Sequence, residues 1–141
     1  MVNLFRNASH ALAAVTTNCA GFRAAWENVT RPAGWEGRWE GEWRSEANGH
    51  HGALRCVLSK KSPQEIKAFF HGRYGKIFRV CYSVSLQARG AGDTFELSGQ
   101  ADLGELAGGI YEYDGTLGPG RFHCRYRCRY DHGDFEMKPA A

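Results

Sequence analysis

Residues 34–46 read GWEGRWEGEWRSE, and two kinds of residue alternate along this stretch. From Trp35 to Ser45 every odd position is Trp, Gly or Ser, whereas every even position from Glu36 to Glu46 is charged. Successive side chains of a β-strand point to opposite faces. A helix would also align tryptophans four residues apart, but each glycine inside it would cost about 1 kcal/mol relative to alanine. The stretch therefore predicts a strand with one apolar face.

The same period of two continues to the end of the chain and predicts eight strands separated by short polar turns. After the tryptophan strand, the predicted inward positions are Leu54, Cys56 and Leu58; Ile66, Ala68, Phe70 and Tyr74; Val80, Tyr82, Val84 and Leu86; Phe95 and Leu97; Tyr111 and Tyr113; Phe122, Cys124, Tyr126, Cys128 and Tyr130; Phe135 and Met137.

Four turn signals test this assignment, because a shift of one residue in pairing would exchange the faces of a strand. Turns at residues 48–49, 90–91, 117–118 and 132–133 all place apolar residues opposite apolar residues. The predicted pairs are Trp43 with Leu54, Leu86 with Phe95, Tyr113 with Phe122, and Tyr130 with Phe135. The four hairpins agree on which face is inside.

Eight sequential antiparallel strands with one apolar face are best buried in a closed up-and-down β-barrel, which also removes the sheet edges. The competing architecture is an open sheet covered by a helix. We assign the barrel to residues 34–141 and an amphipathic helical segment to residues 1–33. Apolar residues recur there at spacings of three and four, although residues 16–18 and Gly21 are expected to break or kink the helix. We expect this helix to plug or flank one end of the barrel.

Composition sets limits on function. The chain has 141 residues, which suits one domain, and its net charge of +3 is too weak to indicate nucleic-acid binding. No run is long and apolar enough to span a bilayer. Five cysteines without regular spacing argue against a disulfide framework, so we expect reduced thiols and a cytoplasmic location.

A family resemblance adds to this interpretation. The segments Gly37-Arg38-Trp39 and Gly41-Glu42-Trp43 resemble the Gly-x-Trp signature on the first strand of lipocalins and other calycins. The resemblance implies a barrel with a ligand cavity that is open at one end. It covers few residues: a second lipocalin motif is not found, and the short link at residues 48–49 argues against a helical lid there.

Alternate turns of a meander lie at the same end of the barrel, and closure makes the first and last hairpins neighbours. This topology predicts that His50, His51 and His132 gather on one rim with Asp102 and Asp131. We expect His50 to point inward, where it could act as a base or bind a metal with its neighbours. The alternative is that these are ordinary polar turn residues. Their spacing matches no known metal motif, and the sequence identifies no cofactor and no catalytic nucleophile.

The inward tyrosines favour a cavity, because each buried hydroxyl needs a hydrogen-bond partner. Inward glycines, among them Gly41, Gly72 and Gly99, are expected to leave room. The first hypothesis is a protein that binds a small apolar or aromatic ligand inside the barrel. The predicted ligand-binding residues are Trp39, Trp43, His50, Tyr82, Tyr111, Tyr126 and Tyr130.

Two other hypotheses remain open: an enzyme or metal-binding barrel that uses the rim, and a non-catalytic interaction module. In the latter, the N-terminal helix would contact a partner or a second copy of the chain. The outward arginines of the stretch RFHCRYRCRY at residues 121–130 predict a cross-strand charge ladder with Glu112, Asp114 and Glu136 rather than a nucleic-acid site.

Overall fold

The structure is a computed structural model, and it describes residues 15–29 and 34–141. One helix, α1 (Ala20–Glu27), precedes eight strands that pair in sequential antiparallel order, and the last strand pairs with the first. The predicted closed barrel is confirmed. The strands are β1 (Gly37–Ser45), β2 (His51–Ser62), β3 (Glu65–Tyr74), β4 (Phe78–Ala91), β5 (Thr94–Asp102), β6 (Ile110–Gly118), β7 (Arg121–Arg127) and β8 (His132–Pro139).

Burial alternates along the strands with the predicted period of two. In β7, for example, Phe122, Cys124 and Tyr126 are buried, whereas Arg121 and Arg125 between them are exposed. The predicted inward faces are therefore confirmed, with the exception of Tyr74, which is 50% exposed at the end of β3, and of the last positions before the β7–β8 turn.

The pairing partners within the hairpins differ from the predicted ones. Trp43 lies opposite Gly52, Phe95 opposite Gly90, Tyr113 opposite Tyr126, and Phe135 opposite Cys124. The partner of each of these residues is thus two, four, four and six positions away from the predicted one. All four shifts are even, and an even shift leaves every side chain on its original face.

The β7–β8 turn shows why one register was wrong. The backbone N–H of Cys128 donates to the carbonyl of Asp131 at 2.8 Å, so the chain turns well before residue 132. Tyr130 therefore lies in the turn and is 71% exposed. Its prediction as an inward strand residue was wrong. His123 faces outward on β7, where it lies opposite Thr116 and its Nε2 is 2.9 Å from Asp134.

Several inward glycines mark close contacts between strands rather than open space. A Cβ on Gly41 would collide with the backbone carbonyl of Glu136, and one on Gly99 would lie 2.9 Å from the carbonyl oxygen of Ser85. Glycine at such positions lets strands approach and bend. The expectation that Gly41 and Gly99 leave room was wrong. Gly72 differs, because a Cβ there would meet only side chains, the nearest being Leu54 Cδ1 at 3.5 Å.

The predicted break at residues 16–18 is confirmed, since α1 begins only at Ala20 and Thr16 forms an isolated β-bridge with Cys81, whereas Gly21 lies inside α1 and does not end it. The part of the predicted helix in residues 3–14 lies outside the described residues. Helix α1 itself covers the outer wall, where Phe22 packs edge-on against Phe69 at 5.3 Å, whereas Val15 in the segment before it lines the open part of the barrel. The division of the chain into residues 1–33 and 34–141 stays a prediction.

A disulfide joins Cys19, next to α1, to Cys81 on β4. The prediction of reduced thiols is therefore wrong for these two residues, whereas Cys56, Cys124 and Cys128 are free. Cys81 pairs with His71 of β3 on one side, and the bond and the Thr16 bridge lie at the other edge of β4, which pairs with β5 only from Gln87 to Ala91. The N-terminal segment thus covers a strand edge that the barrel itself leaves open.

We predict that Gly41→Ala lowers the free energy of unfolding by about 1–3 kcal/mol, because the new methyl group forces β1 away from β8. Denaturant unfolding measures the change. The matched control is Gly21→Ala, which adds the same methyl group to the exposed face of α1, where nothing lies within 4 Å. That control should be neutral or stabilising. Equal stability of Gly41→Ala and the natural protein would contradict the close approach.

We also predict that the double change Cys19→Ser and Cys81→Ser lowers the free energy of unfolding by about 2–4 kcal/mol, because the disulfide links residues 62 positions apart. A reductant should destabilise the natural protein and leave the double variant unchanged. Titration of thiols in denaturant should find three free groups in the natural protein, from Cys56, Cys124 and Cys128. Five free thiols would show that the bond is absent.

Candidate functional site

The barrel interior is packed at one end and open at the other. Large side chains such as Phe70, Phe122, Leu58 and Leu117 are fully buried in the packed part. The other part holds an open cavity of about 970 Å³. Its lining includes Trp43, His50, Leu54, Gly72, Tyr74, Phe78, Val80, Tyr82, Leu103, Leu106, Tyr111, Tyr113, Tyr126, Cys128, Tyr130, Asp131 and Phe135.

The mouth of this cavity is built by the four turns that the meander places at one end. Asn48, Leu106 and Tyr130 come from the β1–β2, β5–β6 and β7–β8 connections, Phe78 begins β4 next to the β3–β4 connection, and all four line the cavity. Leu106 lies in a 3-10 turn (Glu105–Ala107) between β5 and β6. Four segments that are distant in sequence thus form one rim.

The rim is unusually apolar. Among the described residues, every large hydrophobic side chain that is exposed belongs to this end of the barrel: Tyr74, Ile77, Phe78, Leu106, Ile110 and Tyr130. Ile77 is 81% exposed and Leu106 is fully exposed. A cluster of exposed apolar side chains, unlike scattered single ones, marks a site of interaction or ligand binding.

An aromatic cluster fixes one side of the mouth. The indole of Trp43 donates from Nε1 to the carbonyl of Arg73 at 2.8 Å and stacks on Tyr74 with ring centroids 5.9 Å apart. His50 meets Tyr74 edge-on, with its Nδ1 3.4 Å from the Tyr74 hydroxyl. His50 therefore lies at the mouth as predicted, and its polar neighbour there is a phenol.

A polar group lies where the β1–β2 and β7–β8 connections meet. Asp131 accepts hydrogen bonds from the hydroxyls of Ser45 and Tyr126. Ser45 also accepts from the backbone N–H groups of Ala47 and Asn48, which fixes the β1–β2 turn. Ser45 is 2% exposed, and burial of a hydroxyl is tolerated because these partners satisfy it. Asp131 is thus held in place by Ser45 at the end of β1 and by Tyr126 on β7.

The predicted histidine cluster does not form. Nε2 of His132 points to Glu46 at 3.9 Å, and His51 lies opposite Arg44 on β2. Asp102 accepts from the backbone N–H of Gly104. In residues 15–29 and 34–141, the rim contains no group of three His, Cys, Asp or Glu side chains close enough to hold one metal ion.

The one such group in the described part of the chain is Cys19, His71 and Cys81, on the outer wall. Cys19 and Cys81 are bonded to each other, so neither offers a thiolate. Three arginines also lower the pKa of His71, after the larger effect of its burial. This surrounding positive charge opposes cation binding.

Burial keeps the cavity tyrosines protonated. It raises the pKa of Tyr82 to about 12 and also raises the pKa values of Tyr111, Tyr113 and Tyr126. A neighbouring thiol at Cys128 adds to the effect on Tyr111, and the charge of Asp131 adds to that on Tyr126. Tyr111 donates to the carbonyl of Ala107 at 2.7 Å. The cavity thus presents neutral hydroxyls that donate hydrogen bonds.

Six of the seven predicted ligand-binding residues line the cavity, and Trp39 does not. Trp39 is 2% exposed, packs edge-on against Phe122, and donates to the carbonyl of Trp35. It belongs to the packed part of the barrel. Sequence reasoning did not find the contribution of Leu103 and Leu106, because the connection that carries them has no periodic pattern.

Comparison with protein-family models, with curated proteins and with solved structures finds no match to this chain. Within the described residues, no helix combines the length and the hydropathy needed to cross a bilayer. The closed eight-stranded antiparallel barrel fits the calycin-like architecture that the Gly-x-Trp segments suggest.

The raised pKa of Tyr82 predicts a specific loss of stability at alkaline pH. An unfolded tyrosine ionises near pH 10, whereas the folded phenol ionises at about 12. The stability from this group is therefore complete below pH 10 and is lost as the pH rises to 12. In denaturant unfolding, Tyr82→Phe should lose less stability over this range, by at most about 1.4 kcal/mol per pH unit. Identical pH slopes would contradict the prediction.

Proposed function

We propose that this protein is a calycin-like binding protein that holds a small apolar or aromatic molecule in the open part of its barrel. The observation that carries the proposal is the cavity of about 970 Å³, which is lined mainly by aromatic and aliphatic side chains. Sites for small molecules are typically concave and apolar and contain a few fixed polar groups. The proposed ligand contacts are Trp43, His50, Tyr82, Tyr111, Tyr126 and Tyr130.

The polar groups of the cavity narrow the chemistry of the ligand. The described lining offers neutral phenol hydroxyls, the His50 imidazole, and the Asp131 carboxylate with two hydrogen bonds already made. Tyr111 and Tyr126 already donate their hydroxyl protons within the protein, so their oxygens are left to accept from an N–H or O–H of a ligand whose apolar body packs against Trp43 and Leu54. The volume is near the upper end of about 300–1,000 Å³ for ligand pockets, so the ligand is of drug size or larger.

The alternative hypotheses have less support. An enzyme that uses the rim would need His50 beside Asp131 or His132, and instead His50 contacts Tyr74. An interaction module that docks through the N-terminal helix would need a free apolar face, and Phe22 of α1 is 4% exposed against its own barrel. A homodimer through that helix stays a prediction.

Cellular location also stays a prediction. The cytoplasm was expected from the absence of a disulfide framework. The Cys19–Cys81 bond instead favours an oxidising compartment, where disulfides form and persist.

The experiment is a binding titration with a neutral fluorescent probe, N-phenyl-1-naphthylamine, preceded by native mass spectrometry for a co-purified ligand. A Cβ at position 72 fits without a clash, and Gly72→Val adds two further methyl groups that point into the cavity. We expect the affinity for the probe to fall about tenfold or more, which corresponds to 1.4 kcal/mol or more.

The matched control is Ser98→Val, which places the same side chain, a valine, on the exposed outer face of β5. It should leave the affinity unchanged. Unchanged binding by Gly72→Val, or equal weakening by Ser98→Val, would show that the probe does not bind inside the barrel.

A further inference from the structure

The outer wall carries a second concave site, separate from the barrel cavity. A groove of about 440 Å³ lies between α1 and the outward faces of β2, β3 and β4. Its charged and titratable lining consists of Arg23, Arg55, His71, Arg73 and Arg79. Aromatic side chains of α1 form the remaining wall. We call this site the arginine groove.

The strand register places these cations close together. Arg55 lies opposite His71 on the next strand, and Arg73 lies opposite Arg79. All of these side chains point outward by parity. Like charges directly opposite each other across two strands destabilise a sheet. The pairing of Arg73 with Arg79 therefore lowers the stability of the sheet, and the fold alone does not explain why it is present.

No carboxylate offsets this charge. The described lining of the groove contains neither Asp nor Glu, and none of its four arginines is within salt-bridge distance of a described carboxylate. Residues 1–14 and 30–33 contain no acidic residue in their sequence. The outward arginines of β7 are different, since Arg121 and Arg127 pair with Glu136 and Glu112 at 2.7 and 2.8 Å.

We propose that the arginine groove binds a tetrahedral oxyanion, namely the phosphate group of a phosphate ester. The planar donor fork of arginine matches phosphate oxygens, and charge-assisted hydrogen bonds of this kind are the strong ones. A bound dianion would remove the repulsion between Arg73 and Arg79. The Cys19–Cys81 bond anchors α1 to β4, so the helical wall of the groove is already in place before binding.

The phosphate could belong to a free ester or to the headgroup of a lipid. Arg73 lines both the arginine groove and the barrel cavity. The exposed side chains Ile77, in the β3–β4 connection, and Phe78, at the start of β4, lie between Arg73 and Arg79 in sequence. One amphiphilic molecule could therefore place its phosphate in the groove and its apolar part at the cavity mouth, and the test separates the two sources.

The first arm of the test titrates the full chain with sodium sulfate, a dianion across the neutral pH range, against sodium chloride at equal ionic strength. The readouts are calorimetric binding and the titration of His71 by NMR. Burial and the charges of Arg55, Arg73 and Arg79 lower the pKa of His71, and Arg23 faces it from α1. Saturable binding that raises this pKa is the expected result, because a dianion offsets the arginine charges.

Two variants on the same strand provide the matched comparison. Arg79→Gln removes a charge from the groove, and Arg89→Gln removes one from the other end of β4. We expect Arg79→Gln to weaken sulfate binding about tenfold, since one charge-assisted hydrogen bond contributes more than 1.4 kcal/mol. In chloride at low ionic strength, Arg79→Gln should also unfold at a higher temperature than the natural protein, because Arg73 loses a like-charged neighbour. Arg89→Gln should bind sulfate normally.

The second arm measures co-sedimentation with phosphatidylcholine vesicles, with and without phosphatidic acid. Binding that needs phosphatidic acid and Arg79 identifies a lipid headgroup as the source, whereas sulfate binding without vesicle binding identifies a free phosphate ester. Gly72→Val is a further control: it should weaken binding inside the barrel cavity and leave sulfate binding in the arginine groove unchanged. The proposal is overturned if neither sulfate nor vesicles bind saturably, or if Arg89→Gln weakens binding as much as Arg79→Gln.

Discussion

Hydrogen bonding between β1 and β8 closes the barrel, and the site depends on that closure. It places Trp43 opposite Phe135 and Ser45 opposite Gly133, although nearly the whole barrel separates them in sequence. Ser45 then reaches Asp131 in the last turn. Without this pairing, the first and last strands would be free edges, and the polar wall of the cavity would come apart. Gly41 is part of the same constraint, because only a residue without a Cβ fits against the β8 backbone.

Unequal filling of the interior converts a closed barrel into a container. Phe70, Phe122 and Phe135 pack against one another toward the closed part, with ring centroids 5.2–6.5 Å apart. Toward the open end the rings are mostly phenols. The Tyr111 hydroxyl donates to a backbone carbonyl, and the Tyr126 hydroxyl donates to the carboxylate of Asp131. Phenylalanine can be buried on all sides, whereas tyrosine needs a polar partner, so the two residue types separate along the barrel axis.

The sequence predicts which face of a strand is buried better than it predicts which residues pair across two strands, for a physical reason. The direction of a strand side chain repeats every two residues, so local alternation is sufficient to assign Phe122 and Cys124 to the interior. Register depends on where the chain turns, and the Ser45–Asp131 hydrogen bond that joins the β1–β2 and β7–β8 turns links residues 86 positions apart in sequence. The Cys19–Cys81 bond is equally non-local. The sequence did contain one indication of where α1 packs on the barrel: Val57 and Phe69 are apolar residues at outward positions, and they lie opposite each other.

The same limit applies to predicting from sequence which arginines form a binding site. In the sequence, the arginines of β3 and β7 look alike, as cations alternating with apolar residues. Three-dimensional pairing separates them: Arg121 and Arg127 meet carboxylates, whereas Arg73 meets Arg79. Arg73 is also the residue whose carbonyl holds the Trp43 indole at the cavity mouth. The side chain of Arg73 thus lines the outer groove, while its backbone carbonyl orients an aromatic side chain of the inner cavity.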